Sequence, residues 1–450
     1  MSKFLKGILI LLVVSLGAAG AIALITRNQD SKASPGSGTT SSKTESNYVS
    51  AVELSRGVFS ANYRGFDEDF AINYLDQQYD KYLPSGGCTA MAKQVSDGDL
   101  IVARNMDLYI TNQPSYVIKT ELPGRYKTIG LAYSAYSGDN IATIKKKGIL
   151  KTSYNILPAL QTDVMNSEGF YIEINMRNAT YRTRLVLEGE EPSLYSAFSC
   201  SGTNPGKKRI MASMLPEYLG TRCSTISEAL EIAQNDLDIY TPTPSEDSPM
   251  DWNFAFMMAD STGRYGVMEI ARNQVNFTEG KAAEDEQSEE ATLGAIQANY
   301  YLHEDFASIE EMGAGFGRVD HLSELYPELT TEEEMFDAIK QVSYFQAYDR
   351  ENCLFDSKSE FVGYHAPDNY FEELEVWNDD FVTDPDNEDT VNAYIDWCKE
   401  RIEYYEELGT LKDVGLFWNS TFTLTANITD KTLNIRFYED ETNTLKIKLR

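Results

Sequence analysis

The sequence predicts an α+β domain that extends from about residue 88 to residue 450. Two alternating apolar segments, TAMAKQV and LIVARNM, flank Asp97-Gly98, and this combination is a strong signal for a β-hairpin. The segments FTLTANIT and TLNIRFYED close the chain as a second hairpin, with Asp430-Lys431 at its turn. Helical patterns lie between the strand-like segments, and such a mixture is typical of a layered α+β fold.

The individual elements are predicted from apolar periodicity and from the residues that cap or break it. A helix is predicted over residues 226–235 because they follow Ser224-Thr225, a pair suited to capping a helix N-terminus. The remaining helices are predicted over residues 318–325, 331–342 and 391–407. Strands are predicted over residues 171–175, 254–258, 265–270 and 293–298.

The composition bounds the size of the fold and the kind of partner. The chain has 450 residues, of which 42% are hydrophobic, so it is long enough for one large domain or two ordinary ones. Its formal net charge is −31. Because phosphate binding needs a surface rich in Lys and Arg, this charge argues against nucleic acid as a partner.

The N-terminus is predicted to direct export. Lys3 and Lys6 precede the uncharged apolar stretch 7–25, and a positive flank before an apolar run is typical of a signal peptide. The stretch is close to the about 20 residues that span a bilayer, so a retained membrane anchor is the alternative. Either outcome places the rest of the chain outside the cytoplasm, secreted or anchored by residues 7–25, with membrane contact through this segment alone.

Three regions are expected before the main domain: the signal peptide or anchor (1–26), a flexible linker (27–47) and a pro-segment with one short helix (48–87). The linker is polar and rich in Ser, Thr and Gly. In the pro-segment, FAINYLDQQYDKYL has apolar residues at helical spacing. Gly86 and Gly87 follow this helix and leave a sterically open segment before Cys88.

The chain contains five cysteines: Cys88, Cys200, Cys223, Cys353 and Cys398. In an oxidising compartment, an odd count predicts disulfide pairs together with one free thiol. The last four of these cysteines are compatible with two disulfides, whose connectivity the sequence leaves open. Cys88 is then the cysteine that remains free.

The hairpin places charged groups near Cys88. A two-residue turn at Asp97-Gly98 sets Cys88 directly opposite Asp107 and points Arg104 to the other face of the sheet. A thiol with an ordinary pKa of about 8.5 needs a base at neutral pH. If the chain is cut before Cys88, the α-amine of Cys88 supplies that base.

The segment CTAMAKQVSDGDLIVARNMDL resembles the start of the mature choloylglycine hydrolases. These are N-terminal-nucleophile hydrolases that include bile salt hydrolases and penicillin V acylases. Its intervals of 16 residues from Cys88 to Arg104 and 19 to Asp107 are the same as in that family. The resemblance implies a four-layer αββα sandwich.

Later segments are similar to the same family in the same order. MNSEGFYIEIN corresponds to the segment that carries the oxyanion-hole asparagine, here Asn175, although it is one residue shorter. FAFMMADSTGRYGVMEI is similar to the hairpin that precedes the second active-site asparagine, here Asn299 in AIQANYY. GFGRVDHLSEL is similar to the segment that bears the family's later arginine, here Arg318. Residues 178–222 have no clear counterpart.

The resemblance implies hydrolysis of a linear carbon–nitrogen amide bond through a thioester on Cys88, after autoprocessing between Gly87 and Cys88. It implies that Asn175 stabilises the oxyanion and that Asp107 and Asn299 orient the α-amine. Arg104 and Arg318 would tune the charge around the thiol. The implied substrate is a small-molecule N-acyl amide, such as a conjugated bile salt or penicillin V, and no metal or cofactor is implied. The bacterial cytoplasmic members of the family usually begin Met-Cys, whereas this chain has a long exported leader that must be cut.

Two alternatives stay open at the level of sequence. The first is a cysteine hydrolase whose base is a histidine, either His303 or His365, with His321 taken as structural. The second is a non-enzymatic, exported surface-binding module in which Cys88 forms a disulfide. Asparagines are usually turn residues and helix arginines usually surface charges, so the roles of Asn175, Asn299 and Arg318 depend on the family resemblance.

Overall fold

A computed structural model describes the following ranges of the chain: 49–55, 57–82, 86–109, 114–133, 141–149, 151–177, 200–241, 253–280, 292–303, 316–343, 348–349, 354–355, 418–437 and 444–449.

Two large sheets contain most of the described strands. The nine-stranded sheet has the order β1-β2-β5-β6-β7-β8-β11-β12-β13. Its strands are β1 (Val49–Ser55), β2 (Val58–Tyr63), β5 (Ser115–Thr120), β6 (Thr128–Tyr133), β7 (Gln161–Asn166), β8 (Tyr171–Met176), β11 (Phe254–Ala259), β12 (Tyr265–Ala271) and β13 (Gln274–Glu279). The six-stranded sheet has the order β14-β3-β4-β17-β18-β19. Its strands are β3 (Gly86–Gln94), β4 (Leu100–Tyr109), β14 (Ile296–Gln297), β17 (Trp418–Asn427), β18 (Thr432–Phe437) and β19 (Thr444–Lys448).

Helices and two small sheets complete the described structure. The α-helices are α1 (Glu68–Tyr82), α2 (Ile141–Lys147), α3 (Lys151–Ile156), α4 (Leu215–Gly220), α5 (Ile226–Asn235), α6 (Phe316–Leu325) and α7 (Glu332–Gln341). Short 3₁₀ helices cover Leu157–Leu160, Ala212–Met214 and Tyr326–Glu328. Strands β9 (Lys208–Met211) and β10 (Leu237–Tyr240) pair in parallel, and β15 (Tyr348–Asp349) pairs with β16 (Leu354–Phe355).

The two large sheets pack face to face between two layers of helices. Ile172 on β8 belongs to a buried cluster shared with α1, α2, α4 and α5, whereas the preceding Tyr171 belongs to a second cluster shared with the six-stranded sheet. Arg104 on β4 reaches across to the nine-stranded sheet, while the next residue, Asn105, donates from its side chain to the carbonyl of Ile339 on α7. Successive side chains on β8 and on β4 therefore contact a helix layer on one side and the other large sheet on the opposite side. This arrangement has four layers, αββα, and confirms the predicted fold.

Most predicted elements are present within a residue or two. Helix α5 begins after Thr225, whose side chain accepts a hydrogen bond from the backbone of Glu228 as predicted for an N-cap. The strand predicted over residues 293–298 is much shorter, because only Ile296 and Gln297 pair with β3. The helix predicted over residues 391–407 lies outside the described residues.

The predicted register of the first hairpin is wrong by one residue. Cys88 is paired with Met106, and Asp107 is paired with Gly87. The loop has three residues, since Val95 and Asp99 are hydrogen-bonded across it and Gly98 adopts a φ of 92°. Because side chains alternate along a strand, this shift places Arg104 on the face that Cys88 occupies.

The segment upstream of Cys88 is part of the nine-stranded sheet. Besides the predicted helix, it contains β1 and β2, and β2 pairs in parallel with β5. Tyr63 is buried and stacks on Tyr154 of α3, with ring centroids 4.5 Å apart. On α1, the side chain of Glu68 accepts hydrogen bonds from Arg125 and Lys208. The upstream segment therefore contributes to the hydrophobic core of the main domain.

The described cysteines are buried and free. Cys88, Cys200 and Cys223 form no disulfide, so the disulfides that the sequence allowed for Cys200 and Cys223 are absent from the described part of the chain. Cys353 and Cys398 lie outside it. Residues 7–25 also lie outside it, and within the described ranges no helix has the length and apolar character needed to cross a membrane.

Candidate active site

Cys88 lies in β3, on the inner face of the six-stranded sheet, and is 2% exposed. Its Sγ lies 3.4 Å from Nη2 of Arg104 and 3.5 Å from Sδ of Met106. Its main-chain N–H donates to Oδ1 of Asn299 over 3.1 Å. A thiol and a backbone nitrogen of the same residue are thus each held by a specific polar group.

Arg104 is fully buried between the two sheets and is surrounded by acceptors. Its Nη1 lies 2.7 Å from Oδ1 of Asp163 on β7 and 3.0 Å from Oε2 of Glu173 on β8. Its Nη2 donates to the carbonyl of Ile174 over 2.7 Å. These bonds fix the guanidinium beside the Cys88 thiol, which is where the corrected register places it.

Asp107 and Arg318 lie near the backbone of Cys88 and not beside its thiol. Nη1 of Arg318, on α6, is 3.3 Å from Oδ2 of Asp107 and 3.5 Å from the carbonyl oxygen of Cys88. The same nitrogen donates to Oγ1 of Thr89 over 2.6 Å. Asp107 also accepts a hydrogen bond from the hydroxyl of Ser420 on β17. A buried carboxylate and a buried guanidinium are therefore paired close to the main chain of Cys88 and Thr89.

Two asparagines complete the set of residues singled out in the sequence. Asn299 follows β14; its Nδ2 donates to the carbonyl of Met176, and its Oδ1 also accepts from Arg318 over 3.0 Å. Asn175 lies on β8, where alternation puts its side chain on the same face as Glu173. Both polar atoms of the Asn175 amide are buried, and neither has a hydrogen-bond partner within the described part of the chain. An unpartnered buried amide is available to a ligand oxygen.

Burial dominates the protonation of the site in the intact chain. It raises the pKa of the Cys88 thiol to about 11, since the nearby Arg104 only partly offsets burial and the carboxylates of Asp107 and Glu173. Burial also raises the pKa of Glu173 to about 7 against the opposing effect of Arg104. The thiol is therefore neutral at pH 7 and needs a base before it can act as a nucleophile.

Sequence reasoning missed Asp163, Glu173, Arg177 and Gln297. Glu173 does carry a signal, because it is the one charged residue in the otherwise apolar or uncharged strand YIEINM, all of whose residues are buried. Arg177 follows this strand and forms a buried ion pair with Glu269, with 3.4 Å between Nε and Oε1. A charge on a fully buried strand requires a buried partner, and that requirement was the available signal.

The histidines of the described chain have other contacts. Nε2 of His321 lies 3.0 Å from Oε1 of Gln341, and the main-chain N–H of His303 donates to Glu269. His365 lies outside the described residues. Within the ranges described, the side chains that contact Sγ of Cys88 by hydrogen bonding are Arg104 and Met106. No group of His, Cys, Asp and Glu in these ranges is arranged to hold a metal ion.

Three solved structures, of a hydrolase and an acylase, are similar to this chain. Two variants of the conjugated bile acid hydrolase from Clostridium perfringens are 14% and 13% identical, each with a TM-score of 0.37, and the match covers 80% of this chain and 92% of theirs. Penicillin V acylase from Agrobacterium tumefaciens is 12% identical with a TM-score of 0.42, covering 80% of this chain and 86% of that one. No protein-family model matches the sequence. No curated protein matches it either.

Proposed function

We propose that this chain is an exported cysteine amidase that hydrolyses a linear carbon–nitrogen amide bond after it is cut between Gly87 and Cys88. The observation that carries the proposal is the double attachment of Cys88. Its thiol lies against Arg104, and its main-chain nitrogen is bound to Asn299. An N-terminal nucleophile needs both its thiol and its α-amine to be positioned, whereas an ordinary cysteine nucleophile needs only the thiol.

The cut is an intramolecular reaction of the same thiol. The sulfur of Cys88 attacks the carbonyl carbon of Gly87, the thiol proton passes to the peptide nitrogen, the carbon–nitrogen bond breaks, and Gly87 is held as a thioester. Water then hydrolyses the thioester, which releases the carboxylate of Gly87 and restores the thiol. The freed α-amine of Cys88 has an ordinary pKa of about 7.7–8.0 and becomes the base that the buried thiol lacks.

In the amidase reaction, the α-amine of Cys88 takes the thiol proton, and the sulfur attacks the carbonyl carbon of the substrate. The nitrogen of the substrate leaves with the proton held by the α-ammonium, and the acyl group remains on sulfur. Water activated by the same amine then releases the acid. Asn175 donates to the tetrahedral oxyanion, an effect typically worth ~3–4 kcal/mol per donor.

The remaining residues have supporting roles. Asn299 and Asp107 orient the α-amine, and Arg318 joins both of them, since it is 3.0 Å from Asn299 and 3.3 Å from Asp107. Arg104 stabilises the thiolate as it forms. The substrate class, an N-acyl amide such as a conjugated bile salt or penicillin V, is proposed from the sequence resemblance. Export is proposed from Lys3, Lys6 and the apolar stretch 7–25.

The test compares the wild-type chain with Cys88→Ala. N-terminal sequencing is expected to find a fragment beginning at Cys88 in the wild type and no such fragment in the variant. A panel of conjugated bile salts, penicillin V and N-acyl amides is expected to find hydrolysis by the wild type alone. Cys223→Ala is the matched control, because Cys223 is also a buried free thiol and lies outside the site.

Two results would reject the proposal. One is amide hydrolysis by wild-type protein that still begins upstream of Cys88. The other is retention of processing with loss of hydrolysis in His303→Ala or His365→Ala, which would favour a histidine base. The non-enzymatic alternative required Cys88 to be in a disulfide, and Cys88 is a free cysteine in the described part of the chain.

A further inference from the structure

Gln297 lies between two buried charged residues that belong to opposite sides of the site. It is fully buried on β14, the strand that pairs with β3 next to Cys88. Its Nε2 donates to Oε1 of Glu173 over 2.5 Å, and its Oε1 accepts from Nη2 of Arg177 over 2.8 Å. Both functions of the amide are used, and both partners are themselves buried.

The Glu173 side of this contact leads to the thiol. Oε2 of Glu173 is 3.0 Å from Arg104, and Arg104 is 3.4 Å from Sγ of Cys88. The donor from Gln297 fixes the carboxylate that in turn fixes Arg104. Among the described residues, Asp163, which also binds Arg104, and Arg177 face Glu173 as well, and the main-chain N–H of Met257 donates to it over 3.3 Å.

The Arg177 side leads to Asn299. Nη1 of Arg177 donates to the carbonyl of Ala298, which belongs to the peptide joining Ala298 to Asn299. Nε of Arg177 is paired with Glu269, and Glu269 accepts from the main-chain N–H groups of Leu302 and His303 over 2.9 and 2.8 Å. Arg177 and Glu269 thereby bind the backbone on both sides of Asn299.

An uncharged amide is the side chain that this position requires. Glu173 needs a donor and Arg177 needs an acceptor, and a glutamine offers both without adding charge. A carboxylate of the same shape would keep the acceptor for Arg177 but place a like charge against Glu173. An apolar side chain of similar size would leave two buried charged groups each short of a partner, which is costly.

We propose that Gln297 is a positioning residue that acts on both the thiol and the backbone nitrogen of Cys88. It reaches the thiol through Glu173 and Arg104. It reaches the nitrogen through Arg177 and Asn299. The proposal rests on the proposed function, in that Cys88 is the nucleophile. Gln297 touches neither the thiol nor the scissile bond. It acts by fixing the position of Glu173 relative to Arg177.

The test uses the full chain carrying Gln297→Met or Gln297→Glu. The control is Gln161→Met, because Gln161 is equally buried and its Nε2 donates only to the carbonyl of Pro158 among the described contacts. Three quantities are measured: the rate at which the fragment beginning at Cys88 appears, the pH profile of Cys88 alkylation by iodoacetamide, and the midpoint of thermal unfolding. Alkylation is located by mass spectrometry, with the buried Cys200 and Cys223 as internal references.

Gln297→Met is expected to slow self-cleavage about 10- to 100-fold, the range for losing hydrogen bonds to charged groups. Gln297→Glu retains the acceptor for Arg177, so its cleavage is expected to be faster than that of Gln297→Met. Its added negative charge is expected to move the alkylation profile to higher pH. Gln161→Met is expected to lower the unfolding midpoint without changing either rate or profile.

The proposal is overturned if Gln297→Met cleaves and alkylates as the wild type does, or if Gln161→Met reproduces its effects at equal loss of stability. A wild-type chain that neither cuts itself nor hydrolyses amides would instead reject the proposed function. In that case, the alkylation profile still reports whether Gln297 acts on the Cys88 thiol.

Discussion

Cys88 faces Met106 across the β3–β4 hairpin. This pairing decides which charged residue lies beside the thiol. With Met106 opposite Cys88, Arg104 projects from the same face and reaches Sγ, while Asp107 projects from the other face toward Arg318 and Ser420. Arg104 and Asp107 therefore lie on opposite faces of the six-stranded sheet, and it is Arg104 that lies beside the thiol.

Asn175→Ala is expected to lower kcat by about 100- to 1,000-fold, the effect of removing an oxyanion donor. Its unfolding free energy should change by less than about 1 kcal/mol, because neither atom of its amide has a hydrogen-bond partner among the described residues to lose. Steady-state kinetics and urea unfolding measure the two effects.

Asn105→Ala is the matched control for that variant. Asn105 is equally buried, but its side chain donates to the carbonyl of Ile339 and accepts from Thr423. It is expected to cost about 1–3 kcal/mol of stability while the folded fraction keeps its kcat. A stable Asn175→Ala protein with normal kcat would contradict the role assigned to Asn175.

The segment upstream of Cys88 is expected to remain bound after the chain is cut. Strand β2 is hydrogen-bonded to β5 along its length, and Phe59, Tyr63 and Leu75 lie in the buried cluster under the nine-stranded sheet. Denaturing gels should separate two fragments, whereas gel filtration should give one peak that contains both. Elution of the fragment beginning at Cys88 by itself would show that β1, β2 and α1 are dispensable.

Acid is expected to weaken the attachment of α1 through Glu68. Burial would raise the pKa of Glu68, yet Lys208, Arg222 and Arg125 together lower it to about 2 from its usual 4.5. The folded-state pKa is depressed, so the stability from this carboxylate is complete above pH 4.5 and is lost as the pH falls toward 2. Unfolding followed from pH 7 to pH 2 should show this loss.

Glu68→Gln tests that assignment. It is expected to destabilise the protein by about 2 kcal/mol at pH 7, because three cations lose a carboxylate that is 8% exposed, while the cations themselves stay partly solvated. The variant should lose stability less steeply below pH 4.5 than the wild type. Glu279→Gln is a suitable control, since its pair with Arg264 is half exposed and a surface pair contributes little.

Glu217 is expected to make the protein less stable as the pH rises, which is the opposite of the pH dependence expected from Glu68. Burial raises its pKa to about 7, although Arg222 and Arg125 oppose that shift. The folded state binds the proton more tightly, so the stability it provides is full below pH 4.5 and is lost as the pH rises through about 7. Glu217→Gln should flatten the decline between pH 4.5 and 7, and an unchanged decline in urea unfolding would contradict this.

Local sequence was sufficient for many of the elements. Thr331 and Glu334 form a capping box at the start of α7, as expected for a helix predicted over residues 331–342. The closing hairpin turns at Asp430 and Lys431, and Lys431 adopts a φ of 55°. These features depend on residues within a few positions of one another, so the chain specifies them locally.

Strand register and contacts between distant residues could not be predicted from local sequence. Asp97-Gly98 indicates a hairpin for two- and three-residue loops alike, and only the pairing in the folded sheet distinguishes them. The strand predicted over residues 293–298 shrinks to two residues because only Ile296 and Gln297 find partners on β3. Partners for Glu173 come from β4 and β14, far away in sequence.

The sequence by itself determined the α+β class, the first hairpin and the capped helices, because caps and turns are local, and its resemblance to a family supplied the six residues proposed for the site. Only the tertiary structure decided that Arg104 and not Asp107 lies beside the thiol of Cys88. The tertiary structure alone also placed Glu173 against Arg104 and Gln297 against Glu173. The physical reason is that buried charges take their partners from strands distant in sequence, and no local pattern specifies which strands will meet.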